Sequence, residues 1–304
     1  MTTHVPAPPT GEQFTLHLDG AHGPVDAAIV QVAAGLRHLT VDGQDLVQGY
    51  GADTVPPFAT GIVLVPWPNR VRDGVWSLHG KQLQLDITEP DKNNAIHGLL
   101  RNTPYRVVER SAEAVTLAAS VLPQHGYPFH LETTVTYRLT DDGIRVENGV
   151  TNVGAEAAPY AVGTHPFLRV GAHPVDELTI TARTVEHVAV DARLNPTGLE
   201  PAAGGPFDLS TGRLVADLEL DDAWRVEPDT DGVTRTRLSA TDGAATVLLQ
   251  VFITRTYPTN AGPVTAIAVE PMTAPADALV SGQGLRWLAP GESWSGAWGI
   301  ARSA

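Results

Sequence analysis

No stretch of this sequence holds a helical period for more than about two turns. Short apolar runs recur instead, each ended by a turn signal such as Asp19-Gly20, Asp42-Gly43, Asp73-Gly74, His79-Gly80, Asp141-Asp142-Gly143 or Pro290-Gly291. Within the runs, apolar and polar residues alternate: Phe14, Leu16 and Leu18; Leu83, Leu85 and Ile87; Ile144, Val146 and Val150. Alternation with a period of two is the pattern of a half-buried strand. The 29 glycines and 24 prolines fit a chain made of strands and turns. The pattern predicts strands at 28–33, 36–41, 46–50, 75–78, 105–109, 114–120, 131–139, 178–181, 184–190, 218–226, 234–239 and 245–254, with a closing hairpin over 285–300. No repeat, low-complexity tract or linker divides the chain. The expected fold is therefore all-β, a large antiparallel β-sandwich, with a loose Pro- and Thr-rich tail at 1–12 and one domain over 13–304.

Charge and composition narrow the function. The net charge is −14, with 34 acids against 20 bases. A nucleic-acid binder needs a basic face, so that class is excluded, and an anionic substrate would need a local basic pocket. No apolar run approaches the length of a membrane span, so no membrane partner is expected. The opening Met-Thr-Thr-His-Val-Pro lacks the basic and apolar regions of a secretion signal. Cysteine is absent, which removes thiolate metal sites and thiol nucleophiles and fits a reducing cytoplasm. No His-Glu-x-x-His pair or His-x-His triplet is present, so no metal is expected.

Two stretches carry ionisable groups in unusual company. In Val264-Thr-Ala-Ile-Ala-Val-Glu270-Pro271, alternation sets Val264, Ala266, Ala268 and Glu270 on one face and Thr265, Ile267 and Val269 on the other. Pro271 has no amide proton for a ladder, so the strand is expected to stop there. In Tyr160-Ala-Val-Gly-Thr-His165-Pro166, the same alternation groups Ala161, Gly163 and His165. Small residues before an ionisable one suggest the floor of a groove beside which a small molecule could be acted on. A carboxylate closing an apolar strand is costly unless it is paired or used.

Other candidates surround these two. His97 sits in the polar loop Asn93-Asn-Ala-Ile-His-Gly98, where glycine allows close backbone approach. Arg70, after Trp67-Pro-Asn69, offers a fork for hydroxyls or a carboxylate. Asp221 or Asp222 could grip a ligand, and Trp67, Trp224 or Trp287 could stack on a sugar ring.

Five stretches, in order, resemble the aldose 1-epimerase (galactose mutarotase) family. They are Asn69-Arg70 with Asp73-Gly74; Asn93 to Gly98; Gly126-Tyr127-Pro128; Gly163-Thr-His165-Pro-Phe167; and Val269-Glu270-Pro-Met-Thr-Ala-Pro-Ala-Asp277. A closing Leu288-Ala-Pro-Gly-Glu292 is similar to the last hairpin of that family, and the resemblance runs over roughly residues 14 to 300. It departs at Met272, where the family often has glutamine after Glu-Pro, and at Pro166-Phe167, where it often has an aromatic-Asn run after the histidine.

The resemblance implies a galactose mutarotase-like supersandwich that interconverts the α and β anomers of a free aldohexose such as glucose or galactose. It implies Glu270 as base and His165 as acid, with His97, Arg70, Asn69, Asp221 and Trp224 binding substrate, and Asp222 as an alternative to Asp221. No cofactor is needed, because no electrons move. The partner is a small monosaccharide, and the state a monomer or homodimer. Two other readings remain: a non-catalytic carbohydrate-binding protein, and an epimerase of a modified or phosphorylated sugar.

Overall fold

The structure is a computed structural model that describes residues 7–226, 236–240 and 247–302. All the long ladders are antiparallel. A four-stranded sheet runs in chain order through Gln13–Gly20, Gly23–Val30, Leu36–Val41 and Gln44–Asp45. A six-stranded sheet is ordered Arg106–Arg110, Ala114–Val121, Leu131–Thr140, Gly143–Asn152, Ser293–Ala301 and Thr236–Ala240. The third, eight-stranded sheet has at its centre the hairpin Val247–Thr259 and Gly262–Met272. Asp221–Val226, Thr184–Val190 and Pro196–Pro201 extend it on one side, and Gly163–Thr164 and Val63–Leu64 on the other, with Phe167–Leu168 also pairing with Gly262–Met272. The only α-helix among the described residues is Ala278–Ser281, and no described helix is long and apolar enough to cross a membrane. The all-β antiparallel class expected from the alternating runs is the one the chain adopts.

Alternation decides which core each face joins. Phe14, Leu16, Val25, Ile29 and Leu39 of the first sheet meet Leu117, Val135, Tyr137, Val146 and Trp298 of the second in the main core. A separate core lies against the third sheet, built from Trp224, Val251, Ile253, Ile267 and Val269 together with Leu209, Val215, Leu218 and Leu220. Ile267 and Val269 therefore pack as their face predicted. The opposite face holds Ala266 and Ala268, and here the expectation of empty space fails. Both are fully buried against Phe167 and Tyr257, with Phe252 beside them. Ala161 packs on Ala274 and Ala278. A Cβ on Gly163 would come within 2.8 Å of Pro68 Cβ and 3.0 Å of Met272 Cγ. These residues are small because neighbours fill the space above them. Ala268→Phe is accordingly expected to destabilise the fold by about 1–3 kcal/mol through overpacking, read as a drop in thermal midpoint. An unchanged midpoint would show that the space is open after all.

Several boundaries differ from the sequence reading; the strand expected at 28–33 ends at Val30 and that at 218–226 begins at Asp221. The strand continues past Pro271 to Met272, which pairs with both Leu248 and Gly163. A proline removes one donor from the ladder, and near a strand end the neighbouring pairs hold it. Glu270 is thus inside the sheet. The loose tail expected through residue 12 is shorter: Thr10 is buried, its carbonyl accepts from the Val32 amide, and the Glu12 carbonyl accepts from Gln31. Residues 1–6 of that tail lie outside the described residues, as do 234–235 and 245–246 of two expected strands. The strand expected at 46–50 is reduced to an isolated bridge between Val47 and Leu168.

Candidate active site

Register brings the two key residues together. Gly163 pairs with Met272 and Phe167 with Ala268 across the same two antiparallel segments. The Pro166 carbonyl accepts from the Val269 amide between them. The break at His165 leaves the register intact, so His165 lies opposite Glu270. On the other side of Glu270, its direct cross-strand partner is Gln250. His165 Nε2 approaches Glu270 Oε1 to 3.3 Å, with both side chains almost wholly buried. The His97 ring stands edge-on to His165, at 5.4 Å between centroids and 88° between planes. Phe167 stacks on the other side of His165 at 5.4 Å.

A second pair of short strands delivers the arginine. Arg70–Arg72 pairs with Asn94–Ile96, placing Arg70 opposite Ile96 and next to His97. The His97 amide donates to the Asn69 carbonyl at 2.9 Å. Gly98 has φ +71°, and a Cβ there would lie 2.1 Å from the Val65 carbonyl oxygen, so only glycine fits beside His97. Asn69 and His97 themselves adopt positive φ of 54° and 65°. That is a strained conformation of the kind that concentrates at functional sites.

Arg70 is gripped from several directions. Its Nε and Nη2 donate to the two oxygens of Glu89 at 2.9 and 3.0 Å, and Nη2 also donates to Asp221 Oδ2 at 3.1 Å. Nη1 reaches Asn69 Oδ1 at 3.4 Å. Asp221 in turn accepts from Gln250 Nε2 at 2.7 Å. Glu270, His165, His97, Arg70 and Asn69 are all buried, while Glu89 and Asp221 are partly open at 18% and 24% side-chain exposure. Access to the cluster is therefore from the side of the two carboxylates.

The structure places Asp221, not Asp222, beside the cluster and buries one of the candidate residues away from it. Strand alternation turns Asp221 and Ala223 to the site face and Asp222 and Trp224 to the other. Asp222 bonds His187 Nε2 at 2.9 Å, and Glu200 bonds His187 Nδ1 at 2.8 Å. Trp224 is fully buried in the second core, and its indole N–H donates to the Phe207 carbonyl. It cannot stack on a sugar. Trp67 belongs to the main core. Trp287 is half exposed, in a separate groove of about 720 Å³ that also includes Tyr160, Arg286 and Trp294 and none of the acid–imidazole cluster. Glu89 and Gln250 were missed from the sequence. Gln250 had a signal, a polar residue inside the apolar run Leu248-Leu-Gln-Val-Phe252, whereas Glu89 sits in a polar turn with nothing to mark it.

Burial sets the resting charge. Loss of water pushes Glu270 well above the usual carboxylate range, and the nearby Asp221 charge adds to this while Arg70 opposes it. Burial pushes His165 down to about 4. His97 is pushed well below its ordinary value by burial first, then by His165, Arg101 and Arg70. Ordinary values had suggested a carboxylate and an imidazolium near neutral pH. Burial instead favours the uncharged pair, carboxylic acid and neutral imidazole, which holds the same single proton. Glu270 Oε2, His165 Nδ1 and His97 Nδ1 are buried with no protein partner. Each such group costs about 1–3 kcal/mol, and three in one cluster are groups prepared to meet a polar ligand.

The depressed His165 pKa has a consequence for stability. Between pH 6.5 and 4 the unfolded chain binds a proton at this residue and the folded one does not, so the stability present above pH 6.5 is lost as pH falls. His165→Asn removes that loss. Its thermal midpoint relative to the parent is expected to improve from pH 7 to pH 5, by about 2 kcal/mol in unfolding free energy. A difference that does not change with pH would mean that His165 titrates normally.

An antiparallel sandwich with a buried acid–imidazole pair beside an arginine and two carboxylates is in keeping with the class that the family match shows, an isomerase that epimerises sugars. The chain belongs to the aldose 1-epimerase family, whose sequence profile matches residues 17–300. It is 34% identical over 273 residues to the uncharacterised protein YihR of Escherichia coli K12, covering 90% of this chain and 88% of that one. It is 26% identical over 220 residues to the maltose epimerase of Levilactobacillus brevis, covering 66% of this chain and 63% of that one. Among solved structures, an aldose epimerase homologue of C. elegans matches with a TM-score of 0.79 over 96% of this chain and all of that one, at 19% identity. The galactose 1-epimerase of Lactobacillus acidophilus matches at 0.75 over 95% of this chain and 98% of that one, at 16% identity. At those identities the two structural likenesses speak to the fold alone.

Proposed function

We propose that this protein is an aldose 1-epimerase that opens and recloses the ring of a free aldohexose, with glucose and galactose as the simplest substrates. The observation that carries the reading is the 3.3 Å contact between His165 Nε2 and Glu270 Oε1. One proton shared by two groups is what anomer exchange requires. A base removes the proton from the anomeric hydroxyl. The C1–O5 bond breaks as the C1 carbonyl forms, and an acid protonates O5. Rotation of the aldehyde and the reverse steps give the other anomer and return both protons.

In this scheme Glu270 is the base and His165 the acid. That needs the carboxylate–imidazolium arrangement of the pair, reached from the resting one by moving the shared proton across the contact. Because the two groups touch, the sugar sits against both rather than between them. His97 hydrogen-bonds near the ring oxygen, and Arg70, Asn69 and Asp221 hold other hydroxyls. Residues 13–304 act as one domain in this reading, and the lack of cysteine fits a cytoplasmic setting.

Polarimetry of freshly dissolved α-D-glucose, α-D-galactose and α-D-xylose tests it. Acceleration of the approach to anomeric equilibrium is the expected result. Saturable sugar binding with no acceleration would replace the proposal with a carbohydrate-binding role. A glycosidase would pair Glu270 with Asp221 as its two carboxylates, but Asp221 is already held by Arg70 and Gln250.

A further inference from the structure

Four arginines stand around the strands that carry Arg70 and His97, and three have carboxylate partners. Arg70 is held by Glu89 and Asp221. Arg72 Nε lies 3.7 Å from Asp277, and Arg193 Nη2 lies 2.7 Å from Asp73. Lys92, the nearby lysine, lies 3.8 Å from Glu89. Arg101 differs. Among the described residues it has no carboxylate at ion-pair distance, and its one hydrogen bond is a long contact from Nη1 to the Ile96 carbonyl at 3.4 Å. Ile96 is the residue paired with Arg70 and is the chain neighbour of His97. The guanidinium is thus fixed at the edge of the candidate site while most of its donors stay uncommitted.

Arg101 is also half-buried. Burial lowers its pKa from the ordinary value, with Glu89 acting the other way. Its charge reaches the site, since it helps hold His97 neutral. A partly dehydrated cation without a counter-ion is unfavourable. The chain has 34 acids to 20 bases, so counter-ions are abundant, yet among the described residues none is within ion-pair distance of this group. Arg70 cannot serve as the anion reader. Its contacts to Glu89, Asp221 and Asn69 engage four of its five N–H groups, leaving one Nη1 donor suited to a single hydroxyl.

We infer that Arg101 recognises an oxyanion on the sugar, so that the preferred substrate is an aldose carrying a carboxylate or phosphoryl group away from its anomeric carbon. The planar fork of donors matches both groups. This is the local basic feature that an acidic chain needs to accept an anionic substrate. The inference rests on the mutarotase reading above and narrows its substrate class.

The test compares D-glucose, D-glucuronate and D-glucose 6-phosphate at low salt, with anomer exchange followed by saturation-transfer NMR. In the wild-type protein, kcat/KM is expected to be on the order of tenfold higher for one or both anionic sugars than for glucose. The difference should appear in KM and shrink in 0.5 M salt, roughly as Debye screening requires. Arg101→Gln should reduce the anionic-to-neutral preference by about tenfold, and Arg101→Lys, which keeps the charge without the fork, should restore part of it. The two anionic arms separate carboxylate from phosphoryl recognition. Equal kcat/KM for all three sugars in the wild type, or an equal loss on all three in Arg101→Gln, would overturn the inference and leave mutarotase activity standing. If the wild type accelerates none of the three, the mutarotase reading itself falls and takes this inference with it.

Discussion

Glu270→Gln and His165→Asn are each expected to lower the turnover of anomer exchange at least about a hundredfold, with the fold retained and KM changed far less. A proton-transfer partner contributes about 10² to 10⁴ in rate, which is roughly 3–5 kcal/mol of barrier. The side chains touch at 3.3 Å and share one proton, so they act as a unit. Removing both should cost little more than the worse single change, because either loss already breaks the exchange. Glu270→Gln keeps size and the backbone pairing with Gln250, whereas His165→Asn keeps polarity but loses the ring on which Phe167 stacks, so its folding is verified separately. The measurement is kcat by polarimetry, with circular dichroism to verify folding. Retention of a tenth or more of the parent turnover by either variant would remove that residue from the chemistry.

Trp224→Ala is expected to be the most damaging single change to stability outside the site. The indole is fully buried among Val251, Ile253, Ile267 and Val269, and its N–H donates to the Phe207 carbonyl. Truncating a buried tryptophan costs about 3–5 kcal/mol. For a chain of this length that lowers the thermal midpoint on the order of 6–10 °C. KM for the sugar should hold within a factor of about two at a temperature where the variant is folded, since the ring is on the face away from Glu270 and Asp221. A variant that unfolds normally but binds sugar poorly would return Trp224 to the site.

That second prediction reverses a sequence reading, and the reason is instructive. Asp221 and Trp224 were grouped because the family resemblance implied both as substrate-binding. On a strand, residues three apart face opposite ways. The structure follows the geometry: Asp221 bonds Arg70, while Trp224 joins the second core and Asp222 bonds His187. The alternation rule was available and was not applied across that pair. The alanines at 266 and 268 teach a different lesson. Their placement on one face with Glu270 was legible, but the aromatic side chains that occupy the space come from Phe167, Phe252 and Tyr257, which local sequence does not place there.

The sequence by itself determined the all-β antiparallel class, because period-two alternation and dense turn signals leave a chain few other ways to bury its apolar half. It also determined the faces of the strand that ends near Glu270 and named most of the ionisable cluster. Only the tertiary structure decided that His165 and Glu270 meet directly and that both are shielded from water. It alone decided that Glu89 grips Arg70 and that, among the described residues, no carboxylate lies within ion-pair distance of Arg101. The physical reason is that hydrogen-bond register between distant strands, and the burial that follows from it, are properties of pairs of segments. A pKa moved by loss of water, like a salt bridge between residues 19 or 151 positions apart, exists only once those segments have been brought together.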